Sequence, residues 1–151
     1  MIGRKPMSDL LQHDAADLAE DARRLLAELD RELTQGELTA ADCRPPIDVV
    51  ETASTVEVVV DVPGVPARAL RVVVRRNSVL VVGLKLPAAG SSARFHLAER
   101  SYGRFARVIR LSGAADASRA RATVESGQLR VVLPRIDDRR GRVYAIPVEH
   151  P

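Results

Sequence analysis

The side chains best suited to metal binding or acid–base chemistry are three histidines and one cysteine, and they are scattered along the chain. His13, His96 and His150 lie far apart, and none has a cysteine or another histidine at the spacing of a zinc site. Cys43 precedes Arg44, whose charge favours a thiolate, but no candidate base accompanies it. This distribution predicts no metal, no cofactor and no nucleophilic centre.

The remaining polar clusters also lack the spacing that catalysis requires. Neither a glycine-rich phosphate loop nor a strained nucleophile turn occurs in the sequence. The stretch Ser-Tyr-Gly-Arg at 101–104 is interpreted as a turn into a strand. Asp137-Asp138 is interpreted as a solvated acidic run beside two arginines, not as a catalytic carboxylate pair. We therefore predict that the protein is not an enzyme.

Charge divides the chain into an acidic arm and a basic body. Residues 1–44 contain six basic and ten acidic side chains, a net charge of −4, so the total of +3 leaves +7 on residues 45–151. The arginines of the body occupy solvent positions of alternating segments, and only four aromatic residues are available to stack on bases. A helix formed by the acidic arm would be repelled by anionic lipid. We therefore expect neither a nucleic acid nor a membrane as a partner.

Length and cysteine usage narrow the class of protein further. The 151 residues suit one domain of ordinary size. A single cysteine excludes an internal disulfide, and no apolar run approaches the roughly 20 residues of a membrane span. The basic start is not followed by the apolar core of a signal peptide. These features predict a cytoplasmic protein.

The first element of the chain is expected to be a helix. Leucine and alanine recur at three- and four-residue spacing from Leu11 to Leu29, which predicts an amphipathic helix from about Ser8 to about Leu33. Its apolar stripe allows two interpretations, a coiled-coil seam between chains or a surface helix packed on its own body. Gly36 is the expected end of the helix, and residues 37–44 are the expected linker.

From residue 47 onward the apolar period changes from 3.6 to 2, the period of half-buried strands. Turn signals such as Pro63-Gly64 and Asn77-Ser78 separate the segments. The predicted strands cover residues 47–51, 56–62, 70–75, 79–84, 93–98 and 104–111, followed by a hairpin at 120–134. Seven or eight short strands with no long helix between them predict an all-β fold, an immunoglobulin-like antiparallel β-sandwich. The helix precedes this sandwich, and an extended tail follows it.

The hairpin at residues 120–134 carries the clearest signal of the sheet. Small and apolar side chains at 120, 122 and 124 alternate with polar ones, and the alternation resumes at 129, 131 and 133. Ser126-Gly127 interrupts it, and glycine allows the positive φ of a tight turn. Pro134 lacks an amide donor and ends the second strand. Because two strands are not stable alone in water, the hairpin must join a larger sheet.

Six short motifs, in this order, resemble the small heat-shock protein (alpha-crystallin domain) family. They are Pro-Ile-Asp-Val-Val-Glu at 46–51, Asp-Val-Pro-Gly-Val at 61–65, Val-Leu-Val-Val-Gly at 79–83, Phe-His-Leu-Ala-Glu-Arg-Ser-Tyr-Gly-Arg-Phe at 95–105, Ala-Thr-Val-Glu-Ser-Gly-Gln-Leu at 122–129 and Ile-Pro-Val at 146–148. The resemblance divides the chain into an N-terminal helical arm and linker (1–44), an alpha-crystallin domain (45–136) and a C-terminal extension with the Ile-Pro-Val motif (137–151).

The resemblance implies an ATP-independent holdase, which binds unfolding client proteins before they aggregate. It also implies a homodimer that assembles into a higher oligomer. The alternative from a different functional class is a structural or adaptor module. Such a module uses the same sandwich for self-assembly or for docking one specific partner.

The resemblance further implies a dimer interface. The loop that carries residues 93–98 is expected to pair with the partner's strand at 47–51, with Arg107 at the interface. Glu99 and Arg100 are expected to pair across it. The predicted interface residues are Phe95, His96, Glu99, Arg100, Arg107, Ile47 and Val49.

The tail motif supplies a second predicted contact. Pro147 fixes φ and prevents a helix, so Ile146 and Val148 project as two apolar pegs from an extended segment. The resemblance implies that they enter a groove lined by Leu70, Val72, Val74, Ala120, Ala122 and Val124. The open alternative is that the motif is an edge strand of its own domain.

Overall fold

Valines at alternating positions build the centre of the fold, because their branched side chains pack well on a pleated surface. The computed structural model describes residues 7–34, 43–87, 92–113, 115–136 and 143–151. The predicted helix end at Gly36, most of the predicted linker and the acidic pair at 137–138 lie outside the described residues. Within the described ranges there are one α-helix and nine strands. They are α1 (Met7–Leu33), β1 (Ile47–Glu51), β2 (Thr55–Asp61), β3 (Leu70–Arg75), β4 (Ser78–Lys85), β5 (Gly103–Arg110), β6 (Arg121–Glu125), β7 (Gln128–Pro134), β8 (Val143–Ile146) and β9 (Val148–Glu149).

The strands form two sheets that pack face to face. The larger sheet has the order β1-β2-β7-β6-β9, and the smaller sheet has the order β5-β4-β3-β8. Neighbouring strands are antiparallel except β6 and β9, which run parallel. This arrangement confirms the predicted immunoglobulin-like antiparallel β-sandwich preceded by a helix.

The main core lies between the two sheets, where the inward side chains of alternating positions meet. Val58 lies opposite Val131 in the larger sheet, and both are fully buried. Val72 and Val74 contribute from the smaller sheet to the same cluster. Burying one such side chain contributes about 1.5–3 kcal/mol before conformational entropy is subtracted. The core is therefore almost wholly aliphatic, with Phe105 as the buried aromatic ring among the described residues.

The hairpin formed by β6 and β7 confirms the turn that the sequence predicts. Ser126 has a φ of 51° and Gly127 a φ of 75°, and two successive positive values are typical of a type I′ turn. A Cβ atom at residue 127 would lie 3.2 Å from Pro63 Cα. The Val62 amide donates a hydrogen bond to Gly127 O at 2.7 Å, which ties the turn to the end of the neighbouring strand β2.

The helix α1 packs on the outer face of the smaller sheet. Its side chains Leu18, Leu25 and Leu29 are buried against β4. This packing buries β4 on both faces, which explains why its sequence is a continuous apolar run instead of an alternating one. Of the two interpretations of the apolar stripe, the chain adopts the surface helix packed on its own body.

Two strand assignments made from the sequence are wrong. Residues 93–98 form no strand, and Phe95 and Leu97 are 53% and 74% exposed. A strand needs a neighbour that shares its hydrogen bonds, and none of the described strands runs beside this segment. Ala120 lies outside β6, because its amide donates to Ala117 O and closes the 3₁₀ turn Ala117–Arg119.

Candidate protein-binding surfaces

The Ile-Pro-Val motif joins the two sheets at one open side of the sandwich. Ile146 ends β8 and lies opposite Val72 of β3 in the smaller sheet. Val148 begins β9 and lies opposite Ala122 of β6 in the larger sheet. Pro147 stands between them, and its fixed φ and missing amide donor let the chain leave one sheet and enter the other. The motif therefore bridges the groove between β3 and β6.

The predicted groove residues lie on or beside these two strands, and five of the six are buried. Ile146 is 6% exposed and belongs to the main core, whereas Val148 is half-buried against it. The buried groove residues are Leu70, Val72, Val74, Ala122 and Val124, while Ala120 is half-buried just before β6. In this chain the groove is occupied by the chain's own tail, as a pair of edge strands. The assignment of the groove as a receptor for a second chain's tail stays a prediction.

Two apolar segments are exposed at the opposite side of the sandwich. Strand β1 is the outer strand of the larger sheet, and Val49 and Val50 are about half exposed. The loop before β5 exposes Phe95 and Leu97. An outer strand has a row of unpaired amide and carbonyl groups, so β1 can accept a further strand. The other predicted interface residues of the loop, His96, Glu99 and Arg100, are also exposed, whereas Ile47 and Arg107 are half-buried.

Arg107 anchors the segment that leads into β1. Its Nη1 atom donates a hydrogen bond to Pro45 O at 2.5 Å. The Cys43 amide donates to Arg104 O at 3.1 Å, so the same segment is also held by the backbone of β5. Burial, and then the charge of Arg44, lower the pKa of the Arg107 guanidinium from its usual value. Arg107 therefore contacts its own chain at the side where the dimer interface is predicted.

Arg100 interacts within its own loop. Its Nη1 atom donates a hydrogen bond to the Tyr102 hydroxyl at 3.0 Å. The guanidinium carbon lies 5.2 Å from the centre of the Tyr102 ring, within the range of a cation–π contact. This pair gives the loop a local structure, although residues 93–98 belong to no sheet.

The sequence reasoning missed the charged contacts between α1 and the smaller sheet. Arg75 Nη2 lies 3.2 Å from Asp21 Oδ2, and Arg75 Nη1 lies 3.6 Å from Asp17 Oδ2. Arg71 Nη2 lies 3.0 Å from Glu32 Oε2. The division into an acidic arm and a basic body is the signal that could have indicated these contacts, because opposite charges on two packed elements attract.

The described residues contain no cluster suited to metal binding and no helix suited to crossing a membrane. No group of three or more His, Cys, Asp or Glu side chains in the described ranges is placed to hold a metal ion. His96 and His150 are both exposed. Among the described residues, no helix combines the length and the apolar character needed to cross a membrane.

Comparison with known proteins places this sandwich among heat shock proteins. Residues 48–149 match the family described as Hsp20/alpha crystallin family. The 18.9 kDa heat shock protein of Oryza sativa subsp. japonica is 34% identical over 104 residues, which cover 68% of this chain and 59% of that protein. The 21.9 kDa heat shock protein of the same organism is 32% identical over 154 residues, with coverage of 91% and 75%. The chain thus spans less than two thirds of the first relative and three quarters of the second.

Solved structures agree with the sequence relatives. Heat shock protein 16.0 from Schizosaccharomyces pombe superposes with a TM-score of 0.60 at 28% identity, covering 67% of this chain and 94% of that one. A small heat-shock protein from Xylella fastidiosa has a TM-score of 0.58 at 25% identity, with coverage of 68% and 94%. The family comprises small heat shock chaperones, which are not enzymes. Because the family match extends from β1 to β9, the chain belongs to the Hsp20/alpha crystallin family of small heat shock proteins.

Proposed function

We propose that this protein is an ATP-independent holdase, which binds unfolding proteins and prevents their aggregation. The observation that carries this proposal is the exposed apolar surface of β1 and of the loop before β5, where Val49, Val50, Phe95 and Leu97 face solvent. Unfolding proteins expose apolar side chains and unpaired strands, and a surface of this kind binds both. Membership of a chaperone family supports the same activity.

The building block of the proposed assembly is a homodimer in which the loop of each protomer pairs with the partner's β1. Residues 93–98 lack a neighbouring strand among the described residues, and β1 has one unpaired side. Each segment therefore offers the backbone groups that the other needs. Pairing also buries Phe95 and Val49, which are exposed in the single chain, so this surface becomes available to clients when the dimer opens. Arg107, beside the entry to β1, completes the proposed interface.

The tail provides the proposed link between dimers. Eight residues separate β7 from β8, and a segment of this length reaches about 25–30 Å when extended. The tail of one protomer can therefore replace that of a neighbour through the same contacts of Ile146 and Val148. The buried Ile146 contributes about 1.5–3 kcal/mol before ordering costs and the half-buried Val148 contributes less, so one link is weak and many links together are sufficient. The distinct high order structure of the Xylella protein supports this assembly.

The proposed activity assigns a task to each part of the chain. Residues 1–44 form the arm and linker, residues 45–136 the alpha-crystallin domain, and residues 137–151 the extension that links protomers. Binding to unfolding proteins requires no cofactor, no metal and no chemical step. The proposed location is the cytoplasm, and the proposed partners include neither a nucleic acid nor a membrane.

A structural or adaptor module is the second candidate function. Residues 1–44 contain no aromatic side chain, and the apolar stripe of α1 is already buried against the smaller sheet. Both observations reduce the apolar surface that the arm offers to clients. A protein with this limitation would assemble with itself or dock one specific partner.

Aggregation of a heat-labile enzyme, followed by light scattering, separates the two functions. A holdase suppresses the scattering at near-stoichiometric amounts without ATP, whereas an adaptor leaves it unchanged. Leu97→Lys places a charge on the exposed loop and should weaken the suppression. Ala53→Lys adds the same charge in an exposed turn and should leave it at the wild-type level. Scattering that the wild-type protein does not reduce would exclude the holdase.

A further inference from the structure

The outer face of the smaller sheet carries apolar side chains that the core between the sheets does not use. Leu80, Val82 and Leu84 alternate along β4, and Val73 lies opposite Leu80 on β3. We call these four residues the β4 strip. They form a cluster of their own, separate from the main core, which α1 completes through Leu18, Leu25 and Leu29. The sandwich therefore keeps its core when α1 leaves, and the strip becomes exposed.

Arginines flank the β4 strip and bind the acidic side of α1. Arg75 lies 3.2 Å from Asp21 and 3.6 Å from Asp17, and Arg71 lies 3.0 Å from Glu32. The side chains of Arg75 and Asp21 are only 22% and 14% exposed, so salt screens their attraction less than that of a surface pair. When α1 leaves, these two arginines lose the carboxylates that neutralise them.

The backbone of β4 decides which kind of segment can bind the strip. β4 is paired with β3 on one side and with β5 on the other. The strip therefore offers side chains but no unpaired amide and carbonyl groups. An added strand could not form backbone hydrogen bonds with β4. A helix satisfies its own backbone and needs only an apolar stripe with an acidic flank, which is the chemistry of α1.

We propose that the β4 strip is a docking surface for acidic amphipathic helices of unfolding client proteins, and that α1 is the chain's own competitor for it. The proposal rests on the holdase function and names the site of one class of client. Residues 35–42 tether α1, which keeps it at a high effective concentration near the strip. A client helix binds only those copies of this protein in which α1 has left the strip. Its apparent affinity therefore rises with the fraction of copies in this open state.

A fluorescein-labelled peptide with the sequence of residues 7–34 serves as the acidic helix, and the full-length chain serves as the receptor. Asp21→Arg places a positive charge against Arg75, and the repulsion should release α1. The substitution leaves the β4 strip unchanged. The peptide, which keeps its own aspartate, should then bind about tenfold more tightly than it binds wild type, because more receptors are open. Glu20→Arg makes the same charge change at an exposed position of α1 and should leave the affinity unchanged. Adding Arg75→Asp to Asp21→Arg restores an attractive pair between residues 21 and 75 of the chain. The new aspartate also repels Asp21 of the peptide, so the tenfold gain in peptide affinity should vanish.

The outcomes separate the docking surface from the holdase function. Equal peptide affinity for wild type, Asp21→Arg and Glu20→Arg overturns the docking surface. Leu29→Asp releases α1 by a second route, and weak peptide binding by this variant overturns it as well. In the aggregation assay, Asp21→Arg should keep more of an acidic helical client soluble than Glu20→Arg does, and equal protection overturns the client role. If no form protects any client while the peptide result holds, the holdase function fails and the docking surface stands.

Discussion

Ile146 and Val72 face each other across the ladder between β3 and β8, and through this pair the C-terminal tail enters the main core. Two residues later, Val148 lies opposite Ala122 on the other sheet. One short motif thus contacts both sheets where β8 and β9 are the outer strands. In this chain the contacts are made by its own tail, and the proposed assembly gives the same contacts to a neighbouring chain's tail, so these residues test it.

Replacing both Ile146 and Val148 by alanine should shrink the native assembly. Truncating a buried isoleucine to alanine costs about 2–5 kcal/mol, so the tail should leave the groove in most molecules. Size-exclusion chromatography and native mass spectrometry measure the size of the assembly. Val108→Ala, at an exposed position of β5, is the control and should keep the wild-type size. Coincident elution of the double variant and wild type would contradict the role of the tail.

The sandwich could be predicted from the sequence because its signals are local. Alternation along a single strand determines which face is buried, as Val58 and Val60 show in β2. A glycine marks a turn where φ must be positive, as Gly127 shows. The burial of the groove residues on β3 follows from the same alternation, since Val72 and Val74 lie on its core face.

The sequence leaves the docking of α1 as one of two interpretations and assigns residues 93–98 to a strand, because both features depend on partners that are distant in the sequence. β4 is buried on both faces since α1 covers its outer face, and an apolar run does not reveal what covers it. Residues 93–98 alternate like a strand. The described strands of the same chain nevertheless offer them no neighbour, so the backbone has no ladder to join.

Gly83 lies opposite Phe105 across the ladder between β4 and β5, and the aromatic ring fills the space that a side chain would need. A Cβ atom at residue 83 would lie 2.3 Å from Phe105 Cζ and 2.9 Å from Leu70 Cδ2. Gly83→Ala should therefore lower the free energy of unfolding by about 1–3 kcal/mol, as overpacking of a core does. Chemical denaturation measures this change.

Two further variants test whether the clash with the ring is the cause. Gly113→Ala adds the same methyl group where no described atom lies within 4 Å. Its free energy of unfolding should change by less than about 0.5 kcal/mol. Adding Phe105→Leu to Gly83→Ala removes the ring and should recover part of the loss. A Gly83→Ala chain as stable as wild type would show that the two strands accommodate the methyl group.

The unpaired side of β1 should carry the dimer contact. Val49→Lys places a charge on this edge, which opposes pairing with the partner's loop. We expect a folded monomer, because Val49 is exposed in the single chain and its replacement leaves the core intact. Sedimentation over a series of protein concentrations measures the mass. Val108→Lys, at a similarly exposed valine, should leave the dimer intact, and wild-type sedimentation of Val49→Lys would exclude β1 as the interface.

Arg107 should determine how firmly the segment before β1 is held against β5. Its guanidinium donates to Pro45 O at 2.5 Å, and a hydrogen bond from a charged donor contributes about 1.5–3 kcal/mol. In Arg107→Ala the carbonyl loses this donor, so the segment should open about ten- to a hundredfold more often. Cys43 Sγ lies 3.7 Å from Gly103 O and is half-buried. Its reaction with a disulfide reagent should therefore accelerate by the same factor.

The matched control for this change is Arg110→Ala, because Arg110 is an exposed arginine on the same strand. The thiol of this variant should react at the wild-type rate. Arg107→Lys keeps a positive charge near Pro45 but lacks the planar guanidinium, so its rate should lie between those of wild type and Arg107→Ala. Native mass spectrometry of the same samples shows whether the dimer persists, which separates local opening from dissociation. A wild-type thiol rate in Arg107→Ala would mean that the backbone contact between Cys43 and Arg104 holds the segment without the guanidinium.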